Sequence, residues 1–270
     1  MQIKFFCPHW GSKHLPFAGF ADKVKAAGYD GVEMSLPMEE TEKKHILDCL
    51  QQRSLLWIAQ HWETNEADFI QHKENYRQRL QHLAENRPLF INSQTGKDFF
   101  SFEQNMELIE MAGEVSAAYN VNIIHETHRG RFNFAAHITK KFLEVNKNVR
   151  LTLDISHWLV VADSLLADQA EAVETAIGRA DHIHARVGFQ GGPQIPDPRA
   201  PEWSEIVALH ISTWEKIIAK ANEQKREFFT ITPEFGPFPY MPQIPYTQEP
   251  VAIQWDVNVS MMERLKKYFN

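Results

Sequence analysis

Four apolar runs in this 270-residue chain end in side chains able to hold a metal ion or carry a proton. Val121-Asn122-Ile123-Ile124-His125-Glu126 ends in a glutamate. Leu151-Thr152-Leu153-Asp154-Ile155-Ser156-His157 reaches an aspartate, with a histidine three residues on. Asp181-His182-Ile183-His184 ends in a histidine, and Phe228-Phe229-Thr230-Ile231-Thr232-Pro233-Glu234 in a glutamate. Alternate residues of a strand face opposite ways. Thr152 and Asp154 therefore oppose Leu151, Leu153 and Ile155, while Thr230, Thr232 and Glu234 oppose Phe229 and Ile231. Glu126 shares its face with Asn122 and Ile124, and His184 with His182 and Arg186. If these faces converge, Glu126, Asp154, His184 and Glu234 meet at one place. Asp154 and His157 together suit a metal or a sugar hydroxyl.

Three carboxylates confined together repel, and one would take up a proton unless a cation joined them. A divalent ion leaves a residual charge of about -1, with neutral His184 as the nitrogen ligand. Oxygen-rich coordination with one imidazole suits Mn²⁺, Mg²⁺ or Co²⁺, and also admits Zn²⁺. His125 faces away from Glu126 and reads as structural. His182 reads as a packing or supporting histidine.

The elements that must position these groups alternate strand and helix. Strands are expected at Ile3–Phe6, Gly31–Met34, Leu55–Ala59, Pro88–Ile91, Val121–Glu126, Leu151–Asp154, His182–Ala185 and Phe228–Thr232. Helices fall between them, one opened by Pro16 and ended by Gly28, another by a capping box at Ser101 and Gln104. A further helix is expected within Ser164–Ala180 and a last one near Asp256–Tyr268. Eight units of about 34 residues are the size of βαβ units and imply a parallel sheet closed as a single-domain (β/α)8 TIM barrel, α/β in class, over residues 1–270. A doubly wound sheet binding a dinucleotide would carry a Gly-rich turn after its first strand. Cys7-Pro8-His9-Trp10-Gly11 stands there instead. Two Pro- and Gly-rich loops, near 186–203 and 235–253, follow strands and so belong to the C-terminal mouth of the barrel, as lids or substrate walls. The alternative for one of them is a contact between copies in a homo-oligomer.

The net charge of -7 counts against a general nucleic-acid surface. The two cysteines, Cys7 and Cys49, make no disulfide framework and fit a reducing, cytoplasmic setting. Met1-Gln2-Ile3-Lys4-Phe5-Phe6 reads as a strand rather than a signal peptide, and no run approaches the roughly 20 apolar residues of a membrane span.

His125-Glu126-Thr127, Asp154-Ile155-Ser156-His157, His182-Ile183-His184 and Pro233-Glu234 resemble, in order, motifs of the xylose isomerase-like sugar phosphate isomerase/epimerase superfamily. That group includes ketose 3-epimerases and inosose dehydratases, with endonuclease IV as a relative. The likeness covers strands five to eight; the N-terminal half shares mainly the strand-helix rhythm. The resemblance implies Glu126, Asp154, His184 and Glu234 as ligands of one divalent ion, Glu126 and Glu234 as the proton-transfer pair, and His157 as a substrate contact. In the ketose epimerases a substrate-binding arginine stands several residues past the histidine. Here Arg186 follows after two, so that role falls to Arg186 or to Arg199. Trp10, His61, Trp62, Trp158 and Phe189 are candidate substrate contacts near the mouth.

The resemblance thus implies a metal-dependent sugar or sugar-phosphate isomerase or epimerase working through a metal-stabilised enediolate. Two glutamates favour epimerisation over isomerisation. The competing readings are a dehydratase or lyase on a cyclic polyol or keto-sugar, an endonuclease IV-like phosphodiesterase with His61 as a further ligand, and a non-catalytic sugar-binding barrel. The expected partner is a small sugar, with neither nucleic acid nor membrane.

Overall fold

A computed structural model describes residues 1–269. Eight parallel strands close in sequence order into one barrel: β1 (Gln2–Pro8), β2 (Gly31–Met34), β3 (Leu56–His61), β4 (Ile91–Ser93), β5 (Ile123–Glu126), β6 (Leu151–Leu153), β7 (Ala180–His184) and β8 (Phe228–Thr232), with β8 pairing back onto β1. Helices α1 (Phe17–Ala26), α2 (Glu40–Gln52), α3 (Phe69–Glu85), α4 (Phe102–Tyr119), α5 (Ala136–Val145), α6 (Ser156–Ala162), α7 (Ala170–Ile177), α8 (Ser204–Glu223) and α9 (Gln254–Phe269) connect and cover the strands. This is the expected (β/α)8 barrel. No described helix is long and apolar enough to cross a membrane.

The main core lies between sheet and helices, where Leu151, Leu153, Phe229 and Ile231 meet Leu80, Leu108, Trp214 and Val257. A second, smaller apolar cluster of Phe6, Ile58, Phe90 and Ile124 plugs the barrel interior. Gly31 leaves room for it: a Cβ there would lie 2.6 Å from the Phe6 ring and 2.3 Å from the Leu56 carbonyl oxygen. Continuing outward along the same strand faces from Ile58, Phe90 and Ile124, the side chains become Gln60, Asn92 and Glu126, all buried. An apolar floor therefore carries a polar layer, set by the two-residue period.

Several strand ends shift by one or two residues from expectation, and two boundaries move further. β4 begins at Ile91, not Pro88, because proline has no N–H for the ladder. After β6 the chain turns at once into α6, eight residues before the expected helix. The carboxylate of Asp154 makes this turn by accepting from the backbone N–H of Ser156 (3.0 Å) and from its hydroxyl (2.5 Å). The capping box of α4 forms as read: Ser101 accepts from Gln104 N and the Gln104 side chain from Ser101 N.

Candidate active site

A cavity of about 280 Å³ opens at the C-terminal mouth. Gln60, Gln94, Glu126, Arg186 and Glu234 contribute its polar lining; Trp10, Met34, Trp62 and Tyr240 form its walls. The two loops expected at the mouth are stapled together by an amide pair. Gln194 accepts from Gly236 N (2.7 Å) and donates to the Gly236 carbonyl (3.2 Å). Gly236 itself sits under Trp10, where any Cβ would collide with the indole at 2.1 Å. Trp10 in turn meets Tyr240 edge-on at 5.0 Å.

His184 stands at the centre of the polar layer. Its Nε2 is 2.9 Å from Glu33 Oε1. Its Nδ1 faces the cavity side, 2.8 Å from Glu234 Oε2 and 3.7 Å from Glu126 Oε1, yet it makes no well-formed hydrogen bond. One donor atom each from Glu126, His184 and Glu234 lie within 4.8 Å of one another. Ligands held at about 2.1 Å by one ion lie at most about 4.2 Å apart, so these three are near coordinating positions. Each glutamate is also oriented by an amide. Gln60 donates to Glu234 (2.9 Å); Gln94 (3.1 Å) and Asn92 (3.2 Å) donate to Glu126. Arg131 fixes the Gln94 amide by donating to its oxygen at 3.3 Å, while also bonding the carbonyls of Trp62 and Thr64.

Asp154, the fourth expected ligand, is engaged elsewhere. Its Oδ2 is bound by the Arg186 guanidinium and its Oδ1 by Ser156. Arg186 is 1 % exposed, lies 3.5 Å from Glu234, donates to His157 Nε2 at 2.8 Å and sits 4.7 Å beneath the Tyr240 ring. His157 is thus held by Arg186 rather than facing the cavity. Arg199 is tied to Asp197 on the surface, so of the two arginines only Arg186 reaches the mouth.

The buried charges shift one another. Burial pushes the Glu126 carboxyl above the usual range, against the pull of His184. Burial acts the same way on Glu234, but the charges of His184 and Arg186 outweigh it and hold that carboxyl below the usual range. Burial opposes a charge on His184, yet Glu234, Glu33 and Glu126 together raise it well above an ordinary histidine. Burial and the charges of His128 and Arg186 keep His157 far below one, which suits an acceptor of the Arg186 N–H.

Other sequence-derived candidates fall outside the cavity. His61 points to the helix side, fully buried, with Nδ1 at 3.0 Å from Ser93 Oγ and Nε2 at 2.7 Å from Thr64 Oγ1. Its strand neighbours Gln60 and Trp62 line the cavity instead, as parity requires once β3 extends to residue 61. Trp158 is buried with its indole N–H on the Asn133 carbonyl (2.8 Å), and Phe189 packs on Trp203. Sequence reasoning passed over Glu33, Gln60, Asn92, Gln94 and Tyr240. For Glu33 there was a signal: it is the one charge in Gly31-Val32-Glu33-Met34, a strand buried throughout.

Two further donor groups satisfy the same spacing among the described residues: Glu33 with His182 and His184, and Glu126 with His128 and His157. The second lies against the Arg186 cation, which repels another.

No protein-family model matches the chain, and no curated protein matches it by sequence. Solved structures do match over nearly the whole length. The 3-keto-D-glucoside 4-epimerase YcjR of E. coli shares 11 % identity over 98 % of this chain and 100 % of its own, with a TM-score of 0.64. The probable 3-DHS dehydratase AsbF of Bacillus anthracis shares 19 % over 98 % and 99 %, at 0.61. Endonuclease IV of Thermus thermophilus shares 11 % over 99 % and 100 %, at 0.59. At these identities the likeness establishes the fold. Structures described as a xylose isomerase-like TIM barrel and as a sugar phosphate isomerase/epimerase share the same closed barrel, and the matching structures include an epimerase, a dehydratase and a nuclease.

Proposed function

We propose that the chain is a divalent-metal-dependent isomerase or epimerase of a small sugar or sugar phosphate. One observation carries the reading: two buried glutamates from different strands, pushed apart in acidity, flank a histidine nitrogen that has no hydrogen-bond partner. Carboxyl groups driven apart in this way are the mark of an acid and base pair.

The unpartnered Nδ1 of His184 beside two carboxylates is what a divalent ion would satisfy. Glu126, His184 and Glu234 would hold it, and Asp154 would join them if Arg186 turned its guanidinium towards the substrate. When bound, such an ion supplies Lewis-acid stabilisation of a developing oxyanion. Glu234 takes the proton from the carbon next to the substrate carbonyl. Glu126 returns a proton from the other side of the cavity. Gln60 and the Arg131–Gln94 pair hold the two carboxylates in place for these transfers. Arg186 offers its guanidinium to substrate oxygens, and Trp10, Trp62 and Tyr240 pack on apolar sugar faces while excluding water. The cavity volume suits a monosaccharide, and the negative net charge argues against a nucleic-acid substrate.

The test is solvent-deuterium exchange on a panel of ketoses and their phosphates, followed by NMR, with and without EDTA. Metal-dependent incorporation next to the carbonyl, with a new epimer or isomer, supports the proposal. Loss of water from the product instead identifies a dehydratase on the same pair. No exchange on any ketose, together with cleavage of an abasic-site duplex, would replace it with the nuclease reading.

A further inference from the structure

Glu33 is 1 % exposed, does not line the cavity and carries a carboxylate directly behind His184. Its Oε1 meets His184 Nε2 (2.9 Å) and the Asn92 amide N–H (2.7 Å). Its Oε2 meets the Thr232 hydroxyl (2.5 Å) and His182 Nε2 (3.2 Å). An ionised carboxylate has about four acceptor sites, and here three protein donors, His184, Asn92 and Thr232, occupy three of them. His182 Nδ1 lies 2.7 Å from the Thr230 hydroxyl and 3.0 Å from the Thr230 carbonyl oxygen, which can only accept, so that ring keeps its proton on Nδ1 and turns a bare Nε2 towards Glu33. The 2.9 Å contact with His184 Nε2 makes Glu33 the hydrogen-bonded support behind that ring.

We infer that Glu33 is a positioning residue that keeps a proton on Nε2 of His184, so that Nδ1, aimed between Glu126 and Glu234, is the nitrogen that gives up its proton to a divalent ion. Were the proton on Nδ1, the ring would present N–H to the two carboxylates and could not ligate. The inference rests on the metal-site reading given above and adds which nitrogen binds and which residue dictates it. Hydrogen-bond partners behind a ligating histidine commonly change metal affinity by about 10–100-fold.

Zinc alone serves as the probe, on the full chain. In zinc-loaded wild type labelled with ¹⁵N, and with the His184 signals identified by their loss in His184→Gln, Nε2 carries the proton and Nδ1 the metal. This measurement needs no altered Glu33 and stands even if a variant misfolds. Glu33→Gln, checked for fold by circular dichroism, loses about 10–100-fold in calorimetric zinc affinity with the stoichiometry held at one ion per chain. A merely structural role for Glu33 would lower the melting temperature and leave affinity and the protonated nitrogen unchanged. Zinc on Nε2, wild-type affinity in folded Glu33→Gln, or a second ion lost with Glu33 would each overturn the inference. Tight zinc binding without proton exchange on any sugar would sink the isomerase reading and leave the role of Glu33 standing.

Discussion

Replacing Arg186 with methionine removes one buried positive charge and keeps most of the stem volume. In the wild type the guanidinium touches Asp154 and lies 3.5 Å from Glu234, with no solvent to take its place. A carboxylate left alone in such a site takes up a proton. The work of protonating one carboxyl at pH 7 from its ordinary value of 3.8 sets an upper bound of about 4.4 kcal/mol. That agrees with the roughly 3–5 kcal/mol lost when one partner of a buried pair is deleted. At pH 5 the same bound is about 1.6 kcal/mol. The sign follows from linkage: burial already lifts the Asp154 carboxyl against the pull of Arg186, and without that cation the folded state holds it protonated to a still higher pH. The deficit therefore grows as pH rises from about 4. Thermal unfolding in EDTA should show Arg186→Met melting about 6–18 °C below wild type at pH 7, and about 3–6 °C below it at pH 5. A variant within about 2 °C of wild type at pH 7, or with an equal deficit at both pH values, would refute the view that Arg186 neutralises the acidic layer.

Glu126→Gln and Glu234→Gln should each keep the melting temperature within a few degrees and lower kcat by about 10²–10⁴-fold; near-full turnover in either breaks the acid/base assignment. His184 is held protonated well above an ordinary histidine in the ion-free protein, so a divalent ion must displace that proton. Affinity should then rise with pH through the neutral range, with about one proton released per ion, read by calorimetry in buffers of different ionisation enthalpy. In EDTA the stability that His184 contributes is complete below about pH 6.5 and lost as pH climbs through its raised value. Trp62→Ala, which strips an exposed cavity wall, should raise KM about 2–10-fold with kcat little changed. His61→Leu, by contrast, leaves the Ser93 and Thr64 hydroxyls short of a partner and should lower stability by about 1–3 kcal/mol while KM stays put.

The barrel was legible because alternation is written into the chain eight times; strand parity put Glu126, His184 and Glu234 each on the polar face of its strand, and the closed barrel brings those faces together. Parity could not say that Arg186, two residues beyond His184, would bend back to take Asp154 into an ion pair. That depends on side-chain reach across the mouth, which no strand pattern encodes. His61 was misplaced for a simpler reason. Ending the third strand at Ala59 treats Gln60 and His61 as loop; carrying the ladder two residues further sends Gln60 in and His61 out. The early start of α6 was not legible because Ile155 at its N-cap offers no capping side chain, and the turn into it is made by the Asp154–Ser156 contact. Glu33 stayed hidden because the N-terminal half of the chain carries few of the motifs that drew attention to the other half.

Crystals soaked with Mn²⁺ and measured at its absorption edge address the central claim directly. The account predicts one anomalous peak per chain at the mouth, within about 2.4 Å of a carboxylate oxygen of Glu126, a carboxylate oxygen of Glu234 and Nδ1 of His184. No peak at that position, or a peak held by other residues, would contradict it.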